Sequence, residues 1–202
     1  MRADPVGEAD SFLRPDGLFS RDEVLAQPSP VPPRPGVYGW WFSSLPAQIE
    51  ISGCVRRQGR TLLYVGISPD RPPANSRTAS KQNLRKRLRQ HYTRTAAAST
   101  LRRTLGCLLA EELGLQLRLV GSSGRRTNFG EGEQQLSSWM ANNAYVSWVV
   151  REQPWELEDE LIGRLDLPLN LKGNQRNKFH STLTTARADC LALARAMPVQ
   201  PF

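Results

Sequence analysis

The sequence predicts an α+β domain, a sheet with helices on its faces, and three observations carry that reading. Two runs rich in aromatic and β-branched residues, VYGWWF and TLLYVGI, lie close together early in the chain and suit buried strands. Beyond them, segments with apolar residues at three- and four-residue spacing interleave with further strand-like runs. With 202 residues, 39% of them hydrophobic, and a mean hydropathy of −0.47, the chain can build one core and is too apolar for wholesale disorder.

The elements follow in order. Residues 1–27 read as an N-terminal arm ending in SRDEVLAQ, where Ser20 and Glu23 form a capping-box signature for a short helix. Residues 28–35 form a connector: five prolines in PSPVPPRPG exclude both helix and central strand. From residue 36 to 202 the chain reads as one domain. The stretch between the two strand runs predicts a long hairpin whose tip carries Arg56 and Arg57, and SPDRPPANSRTAS is a turn-rich loop. KQNLRKRLRQHYT places Leu84, Leu88 and Tyr92 on one helical stripe. STLRRTLGCLLAEELG is a second helix with Ser99 or Thr100 as N-cap and Gly114 just past its end. LQLRLV alternates as a strand, GSSGRRTNFGEGE is a loop, EQQLSSWMANNA a helix and AYVSWVV a strand. PWELEDELIGRLD is a helix with Leu157, Leu161 and Leu165 as its stripe, and STLTTARADCLALARAM is a terminal helix.

Charge is sharply segregated. Ten basic residues and no acid lie between Arg71 and Ala110, while residues 151–166 carry six acids. Of the 27 cationic residues 23 are arginine, whose planar fork suits phosphate. The net charge of +8 therefore points to a polyanion, most simply nucleic acid, and the acidic helix to a divalent cation. A solvated helix face is the plainer account of the basic run. No run reaches the roughly 18 apolar residues of a membrane helix, and the acidic N-terminus lacks a signal-peptide core, so a cytoplasmic protein without a membrane partner is expected. Cys54, Cys107 and Cys190 are far apart in sequence with no C-x-x-C pair, which favours reduced structural thiols.

Phosphodiester hydrolysis needs a cation-holding acid, a base for water and a positive group for the phosphate oxygens. Pro35-Gly36-Val37-Tyr38 opens one strand and Tyr64-Val65-Gly66 closes the other, Arg87 and His91 stand one helical turn apart, and Glu158 flanks a buried stripe. Taken singly, each has a plainer explanation: a core tyrosine, one more surface arginine, a capping histidine, or an acid whose neighbours Glu156, Asp159 and Glu160 serve equally. Asn174, Asn177 and His180 are either turn and cap residues or part of the site.

Together these segments resemble the GIY-YIG nuclease family over residues 35 to about 180. PGVY and LYVGIS stand for the two signatures, NLRKRLRQHY for the following helix, and ELEDELIGRLDLPLN for the helix with the metal-binding Glu and the Asn twelve residues on. The Arg87–His91 spacing is most similar to the restriction-enzyme branch. The resemblance implies a small three-stranded antiparallel sheet flanked by helices, with insertions, one of them at residues 110–145. It implies a metal-dependent DNA endonuclease with Tyr38 as general base or water-positioning phenol and Tyr64 lining the site. Arg87 would act on the scissile phosphate, His91 would polarise the phenol or the water, Glu158 would be the sole protein ligand of Mg²⁺ or Mn²⁺, and Asn170 would fix the surroundings. The basic run then supplies candidates for nucleic-acid binding: Arg77, Lys81, Arg85, Lys86, Arg89, Arg94, Arg102 and Arg103. DNA is the expected partner and RNA the alternative, with the protein a monomer or homodimer. The competing functions are a non-catalytic DNA- or RNA-binding module on the same fold and a docking protein for an acidic partner.

Overall fold

A computed structural model describes residues 5–72, 80 and 82–200. Arg77 and Lys81 lie outside the described residues. Three long antiparallel strands, β1 (Gly36–Phe42), β3 (Arg60–Ser68) and β6 (Ala144–Val150), form the body of the sheet, with β1 in the middle. A two-residue strand, β2 (Arg56–Arg57), pairs with the start of β3 through a tight turn at Gln58 and Gly59, both at positive φ. The long hairpin expected between the signatures is thus reduced to this turn, and residues 43–55 run as loop.

All of β1 is buried because the sheet is covered on both faces: Trp40 and Trp41 point to opposite sides and neither is exposed. On one face pack α2 (Arg21–Leu25), α3 (Leu84–Thr93), α4 (Thr100–Leu108), α6 (Gly132–Asn143) and α8 (His180–Arg195), around Tyr38, Trp40, Leu84, Leu88 and Leu105. The other face holds α7 (Pro154–Arg164) through Leu157 and Leu161, and α1 (Pro5–Leu13) through Ala9 and Phe12. Asn83 caps α3 by accepting from Lys86 N, and the expected capping box of Ser20 and Glu23 opens α2. A short α5 (Ala110–Leu113) ends at Gly114 in the left-handed conformation.

Two differences from the sequence reading have local causes. Helix α1 has no strong apolar period; its helicity rests on burying Ala9 and Phe12 against α7. The Gly-rich loop contains a strand, β5 (Arg126–Asn128), paired with β4 (Arg118–Val120), because Gly121 and Gly124 at positive φ reverse the chain between them. The N-terminal residues are woven into the sheet: Phe19 exchanges backbone hydrogen bonds of 2.8 and 2.9 Å with Val146 on the outer edge of β6.

Candidate active site

Register brings the two signatures together. Tyr38 of β1 faces Gly66 of β3, and Tyr64 faces Trp40, so the two tyrosines are diagonal neighbours although 26 positions apart in sequence. Gly66 is required by the phenols themselves: a Cβ there would lie 2.7 Å from Tyr38 Oη and 2.9 Å from Tyr64 Cε1.

Tyr38 is fully buried and its phenol is held from two sides. Arg87 Nε donates to Oη at 3.3 Å, and His91 Nε2 lies 2.9 Å away. The other ring nitrogen of His91 is 2.7 Å from Ser99 Oγ, and Ser99 also accepts from Arg102 N at 3.2 Å as the N-cap of α4. Burial, with the charges of Arg87 and Arg102, holds His91 well below the usual imidazole range, so it is neutral at pH 7. Burial pushes the Tyr38 phenol up to about 12 against the opposing charge of Arg87. At neutral pH Tyr38 therefore carries its proton. With Arg87 donating to its oxygen, Tyr38 can donate that proton to Nε2 of His91. Tyr64 is likewise raised, chiefly by burial.

Glu158 comes from the helix on the opposite face, yet lies within electrostatic reach of both phenols. Pro154 starts α7, and Leu157 and Leu161 anchor it, which leaves Glu158 half-buried beside them. Its carboxylate makes no hydrogen bond or ion pair among the described residues. Burial and then Asp159 push it up to about 7, with Lys172 opposing. Asp159 itself pairs with Arg71 at 2.5 Å. An unpartnered, destabilised carboxylate fits a hard divalent cation, which takes one or two carboxylates and completes its shell with water and substrate oxygens. Among the described residues no group of three or more His, Cys, Asp or Glu gathers, so an all-protein cage is not what is built.

The family model of the GIY-YIG catalytic domain matches residues 36–189. The chain belongs to the GIY-YIG family. No curated protein and no solved structure matches it. GIY-YIG membership establishes a nuclease-type domain whose substrate is nucleic acid and whose family generally depends on a divalent metal. The fold is the expected one, with β2, the β4–β5 hairpin and the N-terminal helices added to its three strands. Among the described residues no helix is long and apolar enough to cross a membrane.

Other candidates of the GIY-YIG domain divide by burial. Asn170 spends its side-chain amide on backbone: its Oδ1 accepts from Val65 N at 2.9 Å and its Nδ2 donates to Val65 O at 2.8 Å, so it acts as a substitute strand holding β3 next to Tyr64. Asn174 and Asn177 take the turn role, Asn174 donating to Leu167 O and Asn170 O and Asn177 accepting from Phe179 N. Arg102, expected on the nucleic-acid surface, is instead 1% exposed and ion-paired to Glu133 at 2.6 Å, so it cannot lie on a binding surface. Arg85 is half-buried and donates to Val31 O at 2.6 Å, which anchors the proline-rich connector. Lys86, Arg89 and Arg94 are exposed, and Arg103 is half-buried. A polar cleft of about 540 Å³, lined by Arg164, Asp166 and Arg176 among others, contains none of the tyrosines, Arg87, His91 or Glu158. The sequence reading gave Ser99 only a capping role; its second contact depends on α4 folding back on α3, which no local pattern records.

Proposed function

We propose that the chain is a Mg²⁺-dependent DNA endonuclease in which Tyr38, Tyr64, Arg87, His91 and Glu158 form one hydrolytic site. The observation that carries this reading is the position of the Tyr38 phenol between Arg87 Nε and His91 Nε2. Water attacks phosphorus and gives its proton to Tyr38 Oη as the phenol passes its own proton to His91 Nε2. The P–O bond to the leaving group breaks, the departing oxygen takes up a proton from solvent water, and His91 afterwards releases the proton it received to solvent. His91 is a weak base in the free protein, and the incoming phosphate charge raises its basicity. Arg87 offsets charge on the phosphate oxygens, and Tyr64 lines the site. Glu158 would hold Mg²⁺, which when bound supplies positive charge to the phosphate oxygens. Exposed Lys86, Arg89 and Arg94 would contact the backbone of the duplex. The three cysteines are free, which supports a cytoplasmic setting.

The test is cleavage of plasmid and of linear, branched and single-stranded substrates by the purified chain with Mg²⁺. Wild-type protein is expected to nick DNA, and Tyr38→Phe and Glu158→Ala are each expected to lose at least about 100-fold in rate. Undiminished nicking by Glu158→Ala overturns the assigned site. Tight salt-dependent binding by the wild type with no cleavage of any substrate would make the protein a binding module instead.

A further inference from the structure

Helices α4 and α8 pack side by side on the α3 face, and their contact puts Cys190 Sγ 3.9 Å from the Cys107 carbonyl oxygen. One turn earlier on the two helices stand Arg103 and Arg187. Both are half-buried, and Arg103 Nε is enclosed without a hydrogen-bond partner. Neither guanidinium makes a hydrogen bond or an ion pair among the described residues. The contrast with the preceding residue is direct: Arg102 is buried and receives Glu133, while Arg103 and Arg187, on two helices in contact and within electrostatic reach of each other, have no acid paired to them among the described residues. Burial and the charge of Arg103 hold Arg187 below the ordinary guanidinium value, and Arg187 also lies within electrostatic reach of Tyr64. Two like charges partly desolvated on adjoining helices, within electrostatic reach of Tyr64, are unfavourable in the free protein and become favourable once an anion enters between them.

We propose that Arg103 and Arg187 form a clamp for a single backbone phosphate of the nucleic acid, next to the one that is cut. This rests on the nuclease reading above. Planar guanidinium forks from two helices can grip the two free oxygens of one phosphodiester from either side, which sets the register of the strand relative to Tyr38 without reading bases.

The experiment measures binding of a duplex oligonucleotide by full-length Glu158→Ala protein over a salt series, alone and combined with Arg103→Gln, Arg187→Gln or both. Each single substitution is expected to weaken binding about 10-fold and to lower the log–log salt slope by about one. Because one phosphate is shared, the double variant is expected to lose less than the product of the single losses. Thermal melting without DNA is expected to be unchanged or raised, since a like-charge contact is removed. Arg187→Lys is expected to keep the slope and lose part of the affinity. Wild-type affinity and slope in both single variants overturns the clamp while leaving the nuclease reading intact. Complete absence of nucleic-acid binding by the parent protein overturns both. Melting curves that fall in the Gln variants but not in Arg187→Lys assign the two arginines to folding and overturn the clamp.

Discussion

Glu158 and His91 are displaced in opposite senses, and the displacement makes the site's behaviour pH-dependent. The folded pKa of Glu158, about 7, stands above its ordinary 4.5, so between those values the folded state holds a proton that the unfolded state has lost. Its contribution to stability is therefore intact below about pH 4.5 and is lost as the pH rises through 7. A cation reverses the balance because it binds the carboxylate only after the proton leaves. Stabilisation of the wild type by Mg²⁺ is thus expected to grow from pH 5.5 to 8, and to be absent in Glu158→Gln, which should also lose the metal-free decline. Thermal melts with and without Mg²⁺ at each pH measure this; Mg²⁺ stabilisation that ignores pH would disprove the assignment. At this scale the sequence was informative where chemistry follows spacing. Tyr38, Arg87 and His91 converge on one phenolic oxygen, as their positions on a strand and one helical turn suggested. It was uninformative where burial decides: Arg102 and Arg103 are adjacent arginines in one helix, yet roughly 100° of rotation sends one into the core and leaves the other unpartnered.

Between elements, the segment at 110–145 does more than extend the fold. Glu133 in the first turn of α6 accepts from Arg102 Nη2 at 2.6 Å and Nε at 3.2 Å, while its other oxygen takes Ala96 N at 2.8 Å and Phe129 N at 3.2 Å. Arg102 in turn reaches the His91 carbonyl at 3.5 Å. One carboxylate thus ties α6 to the α3–α4 junction that carries His91 and Ser99. Glu133→Ala leaves a buried guanidinium without its counter-charge and is expected to cost about 3–5 kcal/mol, whereas Arg102→Met with Glu133→Leu should cost much less. Urea unfolding gives both values; a loss below about 1 kcal/mol in Glu133→Ala would show that the pair is not a structural tie. Such long-range ties are illegible in sequence, because Glu133 is 31 residues from Arg102 and neither belongs to a periodic apolar pattern. The helices themselves were legible: Asn83 and Ser99 cap them, and Leu84, Leu88 and Leu105 are buried on schedule. Helix α1 was not, since only two of its residues carry its packing.

For the whole molecule, the N-terminal residues contribute to both cores, with Ala9 and Phe12 on one face and Val24 on the other. Removing residues 1–27 would uncover Trp41 and Leu62 and free Val146 of its partner. The shortened chain is expected to aggregate or lose near-UV circular dichroism, and a monomeric, cooperatively melting product on size exclusion would contradict that. The segment matched by the family model, 36–189, omits these N-terminal core residues. The pairing of Phe19 with Val146 has a further result for assembly. That bond occupies the middle of one outer strand, and Arg56, Arg57, Val55, Leu169 and Asn170 occupy the other. Strand addition at Val146 and along β3 is thereby hindered, which disfavours a pair of molecules, cutting opposite strands of one duplex, that joins by continuing the four-stranded sheet.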